Sequence, residues 1–313
     1  MTVLIKTLSP TLNGTGLFCF SVGFDAAVVD DLFDLSASED NFDEEEEYKK
    51  IEQPKTKPGD IYVFEGGHRL MCGDASLFND MDRLMGDDRA DLIYTDPPYN
   101  VNYKGQKFSK IKNDDMSSED FISWLAEVFR NGLAFSHEHA NVYCWFAMGK
   151  YPLFREAIEN AGWRYMQVCY WMKERFVMAM GQYYHRITEP CMIFYRDWNK
   201  KFVNYKYAKN SDLWDMDRLT FEENLDIWYQ NRDKASDYEH PTQKPVRLAE
   251  RAIKKNSEVG HIVLDMFVGG GAALLCCHQL QRKCYAMEID PKYCDVVVKR
   301  FELMTGTKSK LLI

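Results

Sequence analysis

From about residue 59 onward, apolar runs and amphipathic stretches follow one another along the chain. Short apolar runs that stop at Gly, Pro or Asp are typical of buried strands, and apolar positions three or four residues apart are typical of helices. Strands are predicted at 59–64, 68–74, 90–94, 141–146, 165–171, 191–195, 261–267 and 284–289, and helices at 121–134, 152–161, 247–255 and 272–282. This pattern predicts an α/β fold, either one large domain with an appendage or two modest domains.

The strand predicted at 90–94 is followed closely by Asp96-Pro97-Pro98-Tyr99. Two consecutive prolines cannot continue a helix or a sheet ladder, so the tetrad is predicted to form a rigid turn at the carboxyl end of a strand, where α/β sheets bind ligands. Asp96 and the Pro97 carbonyl could each accept one proton of an exocyclic amine. Tyr99 could stack on the ring that carries the amine, so its ring face should matter more than its hydroxyl. A simple turn, with Asp96 as a cap and Tyr99 in the core, is the alternative.

A second constellation lies near the end of the chain, where a strand, a glycine loop, a helix and another strand are predicted in turn. Glycines at a strand-to-helix turn let a ligand approach the backbone N–H groups of the helix. Asp265 could meet an ammonium group there, and Glu288, at the end of the next strand, could accept from ribose hydroxyls. The loop 269–271 lacks the G-x-G-x-x-G spacing and a following Lys-Ser/Thr, which favours a single nucleoside-type ligand over a dinucleotide or a phosphate. Asp74, at another predicted strand end, could accept from an amine.

The acidic charge of the chain is concentrated in one segment. Residues 25–47 contain eleven Asp and Glu and no Lys or Arg, and removing these acids from the net charge of −9 leaves a formal charge of +2. The overall acidity therefore does not argue against a polyanionic partner. This segment and the Pro- and Lys-containing run up to residue 58 are predicted to form a disordered linker that adds solubility. An autoinhibitory mimic of nucleic acid is the alternative.

Lysines with aromatic residues between them follow the Pro-Pro turn. On a loop at 101–115, beside the predicted ligand edge, they suit a nucleic-acid backbone and unstacked bases, and a solvated loop is the alternative. Residues 197–239 interrupt the pattern of strands and helices with aromatic residues, Lys and Asn, which is typical of an inserted recognition segment. The lysines of the two regions are Lys104, Lys107, Lys110, Lys112, Lys200, Lys201, Lys206 and Lys209.

Composition excludes two other classes of protein. No apolar run approaches the ~20 residues of a membrane helix, and the short run at 17–24 follows no charged region, so neither a membrane span nor a signal peptide is predicted. Nine scattered cysteines without a C-x-x-C pair indicate reduced thiols in the core of a cytoplasmic protein and argue against zinc.

Together these motifs resemble those of the amino-group DNA methyltransferases that use S-adenosylmethionine. Asp96-Pro97-Pro98-Tyr99 resembles the catalytic motif of that family, and the segment 265–271 resembles its cofactor motif, with Gly270 in place of the commoner Ser. Residues 240–245 match the segment just before the cofactor motif. The catalytic motif comes first along the chain, which is the order of the β class, and the resemblance covers residues 59–305.

The resemblance implies a Rossmann-like methyltransferase sheet with helices on both faces, a circularly permuted order of motifs and a target-recognition segment inserted at 197–239. It implies a catalytic domain at 59–313. Residues 1–58 would hold the acidic linker and the remnant of a ParB-like domain, as at the junction where such a domain precedes a methylase.

The resemblance also implies a role for each matched residue. In the tetrad, where Pro98 completes the rigid turn, Asp96 and Pro97 would hold the target amine and Tyr99 would stack on a base flipped out of double-stranded DNA. S-adenosylmethionine would be bound by Asp265, Phe267, Gly269 and Gly271 on its methionine and loop side, by Glu288 at the ribose, by Asp74 at the adenine, and by Lys244, with His240, at the carboxylate.

Asp at position 96 favours N6 of adenine as the target, in a cytoplasmic enzyme of a bacterial or phage host cell. N4 of cytosine is the first alternative. A catalytically inactive DNA-binding relic is the second, suggested by Gly270 and by the missing N-terminal domain, while a protein-glutamine methylase and a nicotinamide enzyme fit less well. No metal is expected, and a homodimer and a restriction partner are left open.

Overall fold

The computed structural model describes residues 35–102, 112–177, 183–197, 226–229 and 244–312. The helices in these ranges are α1 (Glu44–Lys50), α2 (Phe78–Met85), α3 (Ser118–Ala134), α4 (Tyr151–Asn160), α5 (Glu250–Asn256), α6 (Ala272–Gln279) and α7 (Pro291–Thr305). The strands are β1 (Ile61–Val63), β2 (Arg69–Cys72), β3 (Ala90–Thr95), β4 (Ser136–Trp145), β5 (Arg164–Val177), β6 (Arg186–Tyr195), β7 (Ile227–Tyr229), β8 (Ile262–Asp265), β9 (Lys283–Glu288) and β10 (Lys310–Leu312).

These strands form one mixed sheet in the order β10-β1-β2-β9-β8-β3-β4-β6-β5-β7. The middle of the sheet, from β2 to β4, is parallel throughout. On one side β1 and β10 add antiparallel strands, and on the other β6 and β5 do so before β7 pairs parallel with β5. Five neighbouring strands therefore end at the same edge of the sheet, and that edge carries the predicted site.

Helices cover both faces of the sheet. Neighbouring positions of a strand point to opposite faces, and in β8 the side chain of Val263 joins one buried cluster while Ile262 and Leu264 join the other. The first cluster contains residues of α5, α6 and α7, and the second contains residues of α2, α3 and α4. The central strands are apolar on both faces for this reason, as expected for buried parallel strands.

The local signals predicted most of the elements in this range. The hairpin expected at 59–74 is present as β1 and β2, joined by a turn in which Gly66 and Gly67 have φ of +81° and +80°. Ser117 caps α3 by accepting from the backbone N–H of Asp120. Helices α2 and α7 and strands β7 and β10 were not predicted, and β4 was predicted to begin five residues too late, because its first four residues are all polar.

The prediction of a disordered acidic linker is wrong for residues 35–58. The acidic strap, which we define as residues 35–50, contains α1 and lies against α7. Its Asp40 and Glu44 form ion pairs with Arg300, whose side chain is only 2% exposed. A buried guanidinium needs partners, and the strap provides them. Residues 1–34 lie outside the described range, so the remnant domain stays a prediction, as does the boundary of the catalytic domain.

Two further properties of the described residues are the burial of their cysteines and the length and polarity of their helices. Every cysteine among them is buried and free, the eight being Cys72, Cys144, Cys169, Cys191, Cys276, Cys277, Cys284 and Cys294. No helix among the described residues has the length and apolar character needed to cross a bilayer.

Replacing the cap of α3 should measurably destabilise the fold. Ser117→Ala removes the acceptor for the N–H of Asp120 and should lower the free energy of unfolding by about 1 kcal/mol. Urea denaturation measures the change. Ser118→Ala, one position inside the helix, is the matched control and should be nearly neutral; equal effects of the two substitutions would contradict the capping role.

Candidate active site

Four carboxylates lie at the carboxyl ends of four neighbouring parallel strands. Asp265 and Glu288 end β8 and β9, Asp96 directly follows β3, and Asp74 lies two residues after β2. The sheet order β2-β9-β8-β3 therefore aligns Asp74, Glu288, Asp265 and Asp96 in a row along one edge. Positions that are up to 214 residues apart in sequence are brought together in this way.

Asp96 belongs to a hydrogen-bonded cluster with Tyr99, Lys244 and Glu189. The Tyr99 hydroxyl lies 2.7 Å from Asp96 Oδ1 and 2.9 Å from Glu189 Oε1, so its one proton is shared between two acceptors. The Lys244 ammonium donates to Asp96 Oδ2, to the Tyr99 hydroxyl oxygen at 3.1 Å and to Glu189 Oε1 at 3.0 Å. Glu189 on β6 thus helps to hold the tetrad in place, in addition to the rigidity of its two prolines.

Charge in this cluster is balanced by a second lysine. Lys173 on β5 lies 2.5 Å from Glu189 Oε2, so two ammonium groups face two carboxylates. Burial would raise the pKa of Glu189, but Lys244 and Lys173 outweigh it and lower the pKa to about 2. Burial in turn would lower the pKa of Lys244, and Asp96 and Glu189 outweigh that effect and raise it. Both partners therefore stay charged at neutral pH.

The Tyr99 side chain is fixed at both of its ends. Burial, together with the charges of Asp96 and Glu189, raises the pKa of its hydroxyl well above the usual value, so it is a permanent donor. The ring packs edge-on against Phe154, with centroids 6.2 Å apart. The expectation that the hydroxyl matters less than the ring does not fit this geometry, because the hydroxyl joins the two carboxylates.

The loop that follows the tetrad is closed by Asn100. Its side chain accepts from Met116 N at 2.7 Å and donates to Met116 O at 3.1 Å, and Val101 N donates to Asp114 Oδ1. Asn100 has a φ of +56°, a conformation that Asn tolerates better than most residues. Both ends of the lysine-containing loop are thereby fastened beside the tetrad.

The glycine loop after β8 has the backbone that a close ligand requires. Gly269 has a φ of +50°, and a side chain built there would meet no atom within 4 Å, so the loop is open on that side. Gly271 has a φ of +89° and its α-carbon faces Val297 of α7. Asp265 lies behind the loop, where Thr95 Oγ1 and Phe267 N donate to its Oδ1 at 3.0 and 3.1 Å. The ring of Phe267 packs edge-on against Trp124.

Glu288 ties β9 to the same loop. Gly269 N donates to its Oε2 at 3.1 Å and Asp290 N donates to its Oε1 at 2.9 Å. Burial raises the pKa of Glu288 to about 7, and it raises the pKa of Asp265 to about 7 as well. Asp74 Oδ1 accepts from the backbone N–H and hydroxyl of Ser76, and no described residue donates to its other oxygen.

This donor set fits a small ligand with positive charge and hydroxyl groups. Three carboxylates surround an open glycine loop, and carboxylates accept from hydroxyls and amines. A phosphate would be repelled by them, in agreement with the missing Lys-Ser/Thr. Among the described residues, no group of three or more His, Cys, Asp or Glu side chains is arranged to hold a metal ion.

The structure brings most of the predicted residues together and leaves others undescribed. Lys244 was predicted at the cofactor carboxylate and lies instead within contact of Asp96, so its cofactor role stays a prediction. Lys112 is exposed beside the tetrad loop. The predicted residues outside the described range are His240, Lys104, Lys107, Lys110, Lys200 and Lys201.

Sequence reasoning missed Glu189, Lys173 and Thr95. Glu189 and Lys173 lie on β6 and β5, where the antiparallel register places Glu189 opposite Trp171. Their one signal was local: each is a charged residue next to an apolar run within its strand. Thr95 ends β3 as a polar residue in a buried run, only 1% exposed, and its hydroxyl links β3 to Asp265.

Comparison with known proteins identifies the class. The model of the N6/N4 DNA methylase family matches residues 90–299, a span that contains the tetrad, Glu189, Lys244 and the glycine loop. The chain therefore belongs to this family of DNA methyltransferases, which modify exocyclic amino groups.

Individual relatives have low sequence identity to this chain. The chain is 25% identical over 259 residues to the type II methyltransferase M.HpaI of Haemophilus parainfluenzae, covering 75% of this chain and 74% of that protein. It is 23% identical over 240 residues to the DNA adenine methyltransferase YhdJ of Escherichia coli K12, covering 68% and 76%.

Solved structures share the fold. The PvuII DNA methyltransferase, which is cytosine-N4-specific, matches with a TM-score of 0.57 and 14% identity over 80% of this chain and 90% of its own. TTHA0409 of Thermus thermophilus, solved with S-adenosyl-L-methionine, matches with a TM-score of 0.52 and 19% identity over 77% and 96%.

Asp265 and Glu288 should make the cofactor-free protein less stable as the pH rises from about 5 to about 7. Both groups have a folded pKa of about 7, above their ordinary values, so the folded state holds more protons than the unfolded state in that interval. Stability should be fully present below the unfolded pKa values and be lost as the pH rises through 7, by at most about 1.4 kcal/mol per pH unit for each group. Chemical denaturation at a series of pH values measures it.

The variants Asp265→Asn and Glu288→Gln should each flatten that dependence. Glu127→Gln, at an exposed position on α3, removes one carboxylate without burial and is the matched control. A slope that the two site variants leave unchanged would show that these carboxyls are ionised in the folded protein at pH 5.

Proposed function

We propose that this protein transfers a methyl group from S-adenosylmethionine to N6 of adenine at a specific sequence in double-stranded DNA. The observation that carries the proposal is the Asp96-Pro97-Pro98-Tyr99 turn, held by Lys244 and Glu189, on the same sheet edge as the open loop of Gly269. An amine acceptor and a nucleoside site then face one cleft. The family match supports the reaction class, and the residues support the roles.

S-adenosylmethionine supplies a methyl group made electrophilic by a positively charged sulfur. In this proposal Glu288 accepts from the ribose hydroxyls and Asp74 from the adenine amine. Asp265 and Phe267 lie on the methionine side, and the backbone of the open loop lets the ligand approach. The carboxylates along this edge suit a ligand with a sulfonium and an ammonium group.

The chain's own contribution to the reaction is alignment. Asp96 and the carbonyl of Pro97 accept the two protons of the amine, which turns the lone pair of the nitrogen out of the plane of the base. As the nitrogen gained a bond to the methyl carbon, the bond from that carbon to the cofactor sulfur would break and positive charge would pass from sulfur to nitrogen, where the Asp96 carboxylate would stabilise it. The nitrogen then gives up one proton, for which Asp96 is the nearest acceptor.

Lys244 and Glu189 position Asp96 for this task. The amine can engage Asp96 only where an oxygen of the carboxylate is accessible, and the side chain of Asp96 is 33% exposed while those of Lys244 and Glu189 are 11% and 16% exposed. Asp96 is thus the most exposed of these three side chains. The buried members fix its orientation and keep the local charge near zero.

The choice of adenine rests on Asp at the first position of the tetrad. N4 of cytosine is the second candidate, supported by the fold shared with the cytosine-N4-specific PvuII enzyme. Both amines are exocyclic and planar, so the geometry at Asp96 serves either one. The shape of the base pocket decides between them.

Recognition of the DNA sequence is assigned, in this proposal, to the segment 197–239 inserted in a circularly permuted methyltransferase. The described part of this segment contains β7, which pairs with β5 at the far side of the sheet. Flipping the target base out of the duplex is required because its amine is otherwise paired.

Substitutions in the tetrad should separate amine orientation from base stacking. Asp96→Ala should abolish turnover and leave S-adenosylmethionine affinity largely intact, because the acceptor acts on charge that develops in the transition state. Tyr99→Ala should weaken retention of the base by roughly 1–3 kcal/mol. Tyr99→Phe should also lower turnover, since it leaves Asp96 and Glu189 without a shared donor. Methylated nucleosides released from digested DNA and separated by mass spectrometry give both the rate and the modified base.

Asp82→Asn, at an exposed position of α2, is the control and should methylate at the wild-type rate. N6-methyladenine as the product would support the proposal, and N4-methylcytosine would instead support the second candidate. An Asp96→Ala enzyme with wild-type turnover would overturn the mechanism, and an inactive wild-type protein that still binds DNA would favour the relic.

The lysines after the tetrad should contact phosphates. Neutralising Lys104, Lys107, Lys110 and Lys112 to Gln should reduce the slope of log affinity against log salt by roughly one for each phosphate that is no longer neutralised. The target sequence should not change. Fluorescence anisotropy with a cognate duplex measures the slope, and Lys308→Gln with Lys310→Gln, just before and at the start of β10 at one end of the sheet, serves as the control. An unchanged slope in the first variant would remove this loop from the interface.

A further inference from the structure

Gly270 lies in an ordinary region of backbone conformation but has no space for a side chain. Its neighbours Gly269 and Gly271 have positive φ, whereas Gly270 does not. A methyl group built on Gly270 would overlap the carboxyl group of Glu44. The constraint on this position is therefore set by the acidic strap and not by the backbone.

Glu44 is held at that point by the buried Arg300. Arg300 Nη1 donates to Glu44 Oε1 at 2.6 Å and to the carbonyl oxygen of Gly270 at 2.7 Å. Its Nε and Nη2 donate to the two oxygens of Asp40, each at 2.7 Å. One guanidinium thus connects two residues of the strap with the glycine loop.

The helix that carries Arg300 supports the same loop at a second point. Val297, one turn earlier on α7, lies 3.2 Å from the position where a Gly271 side chain would begin. Arg300 can hold the loop only if its charge is compensated, because a buried charge without partners is strongly unfavourable. Asp40 and Glu44 provide that compensation.

The strap also fastens the segment that follows Lys244. Glu39 accepts from Val246 N at 2.8 Å and from Arg247 N at 2.9 Å. These are the first N–H groups of a short 3-10 helix, Val246–Leu248. Glu39 and Asp40 are adjacent in the strap but contact two different parts of the site. Glu39 binds the backbone just after Lys244, and Asp40 binds Arg300, which holds the glycine loop.

We propose that the acidic strap is a positioning element of the methyltransferase, in which Asp40, Glu44 and Arg300 form a clamp that holds the Gly269–Gly271 loop in the conformation that receives S-adenosylmethionine. The inference rests on the proposed function and deepens it, because it assigns a role in cofactor binding to a segment outside the matched family region, residues 90–299. The absence of a side chain at Gly270 matches the position of Glu44. The carboxyl group of Glu44 occupies the space that the side chain of a serine at position 270 would fill.

The steric pairing of Glu44 with Gly270 gives a test by mutual rescue. Gly270→Ala should weaken S-adenosylmethionine binding about tenfold or more, because overpacking displaces the loop. Glu44→Ala should have a smaller effect, since Asp40 still holds Arg300. In the double variant the affinity should return to that of Glu44→Ala alone. Calorimetry on the full chain without DNA measures the dissociation constants, and thermal melting confirms that each variant is folded.

Glu46→Ala is the matched control on the same helix, because the Glu46 side chain is 63% exposed and, among the described residues, forms a salt bridge only with Lys50. It should change neither cofactor affinity nor the effect of Gly270→Ala. If Gly270→Ala fails to fold, Asp40→Asn keeps the shape of the clamp, removes one charge and should still lower cofactor affinity.

Different failures are distinguishable. Wild-type protein that does not bind S-adenosylmethionine overturns the proposed function and the clamp with it. Wild-type binding with additive effects of Glu44→Ala and Gly270→Ala, or an Asp40→Asn variant with unchanged cofactor affinity, overturns the clamp alone. Strap variants that bind DNA more tightly, with cofactor affinity unchanged, would show that the strap acts as a nucleic-acid mimic and not as a clamp.

Discussion

The architecture of this protein depends on placing four carboxylates side by side at one edge of a parallel sheet. Like charges this close raise the free energy of the folded state unless each one is compensated. Asp96 is compensated by Lys244, with Glu189 and Lys173 completing a neutral cluster. Among the described residues no cation pairs with Asp265 or Glu288; both have a pKa of about 7 and are held by hydroxyl and backbone donors. Asp74 is kept in place by the turn at Ser76.

This division separates the edge into two electrostatic halves. The half at β3 is a cluster of ion pairs between lysines and carboxylates, and the proposed role of Asp96 there is to hold an amine in one orientation. The half at β8 and β9 can take up or release protons near neutral pH, so a cationic ligand that favours the ionised carboxylates is bound at little cost. The proposed reaction brings a cation and a neutral amine together, and each would meet the half that matches its charge.

Local motifs predicted the parts of the site that are continuous in sequence. Asp96 to Tyr99, Asp265 with its glycine loop, and Glu288 were all identified because each follows an apolar strand, and the sheet order alone then brings them to one edge. Glu189 and Lys173 were not, because their contact with the tetrad depends on the register of β5 and β6. The acidic strap was misread for a similar reason. Eleven acids without a basic residue are typical of a solvated segment, and nothing nearby in sequence reveals Arg300, 260 residues away from Asp40 and buried.

The strand order also governs how the chain can be assembled during synthesis. β8 and β9 lie in the middle of the sheet, between β3 and β2, although nearly 170 residues separate β3 from β8 in the chain. The ribosome therefore releases β1 to β7 before β8 and β9 exist, and only β10 follows them. Such non-local pairing is slow and leaves apolar edges exposed to other chains. Gly270 and Arg300, through which the clamp holds the glycine loop, belong to this late part of the chain, so the strap gains these partners only after the centre of the sheet has been synthesised.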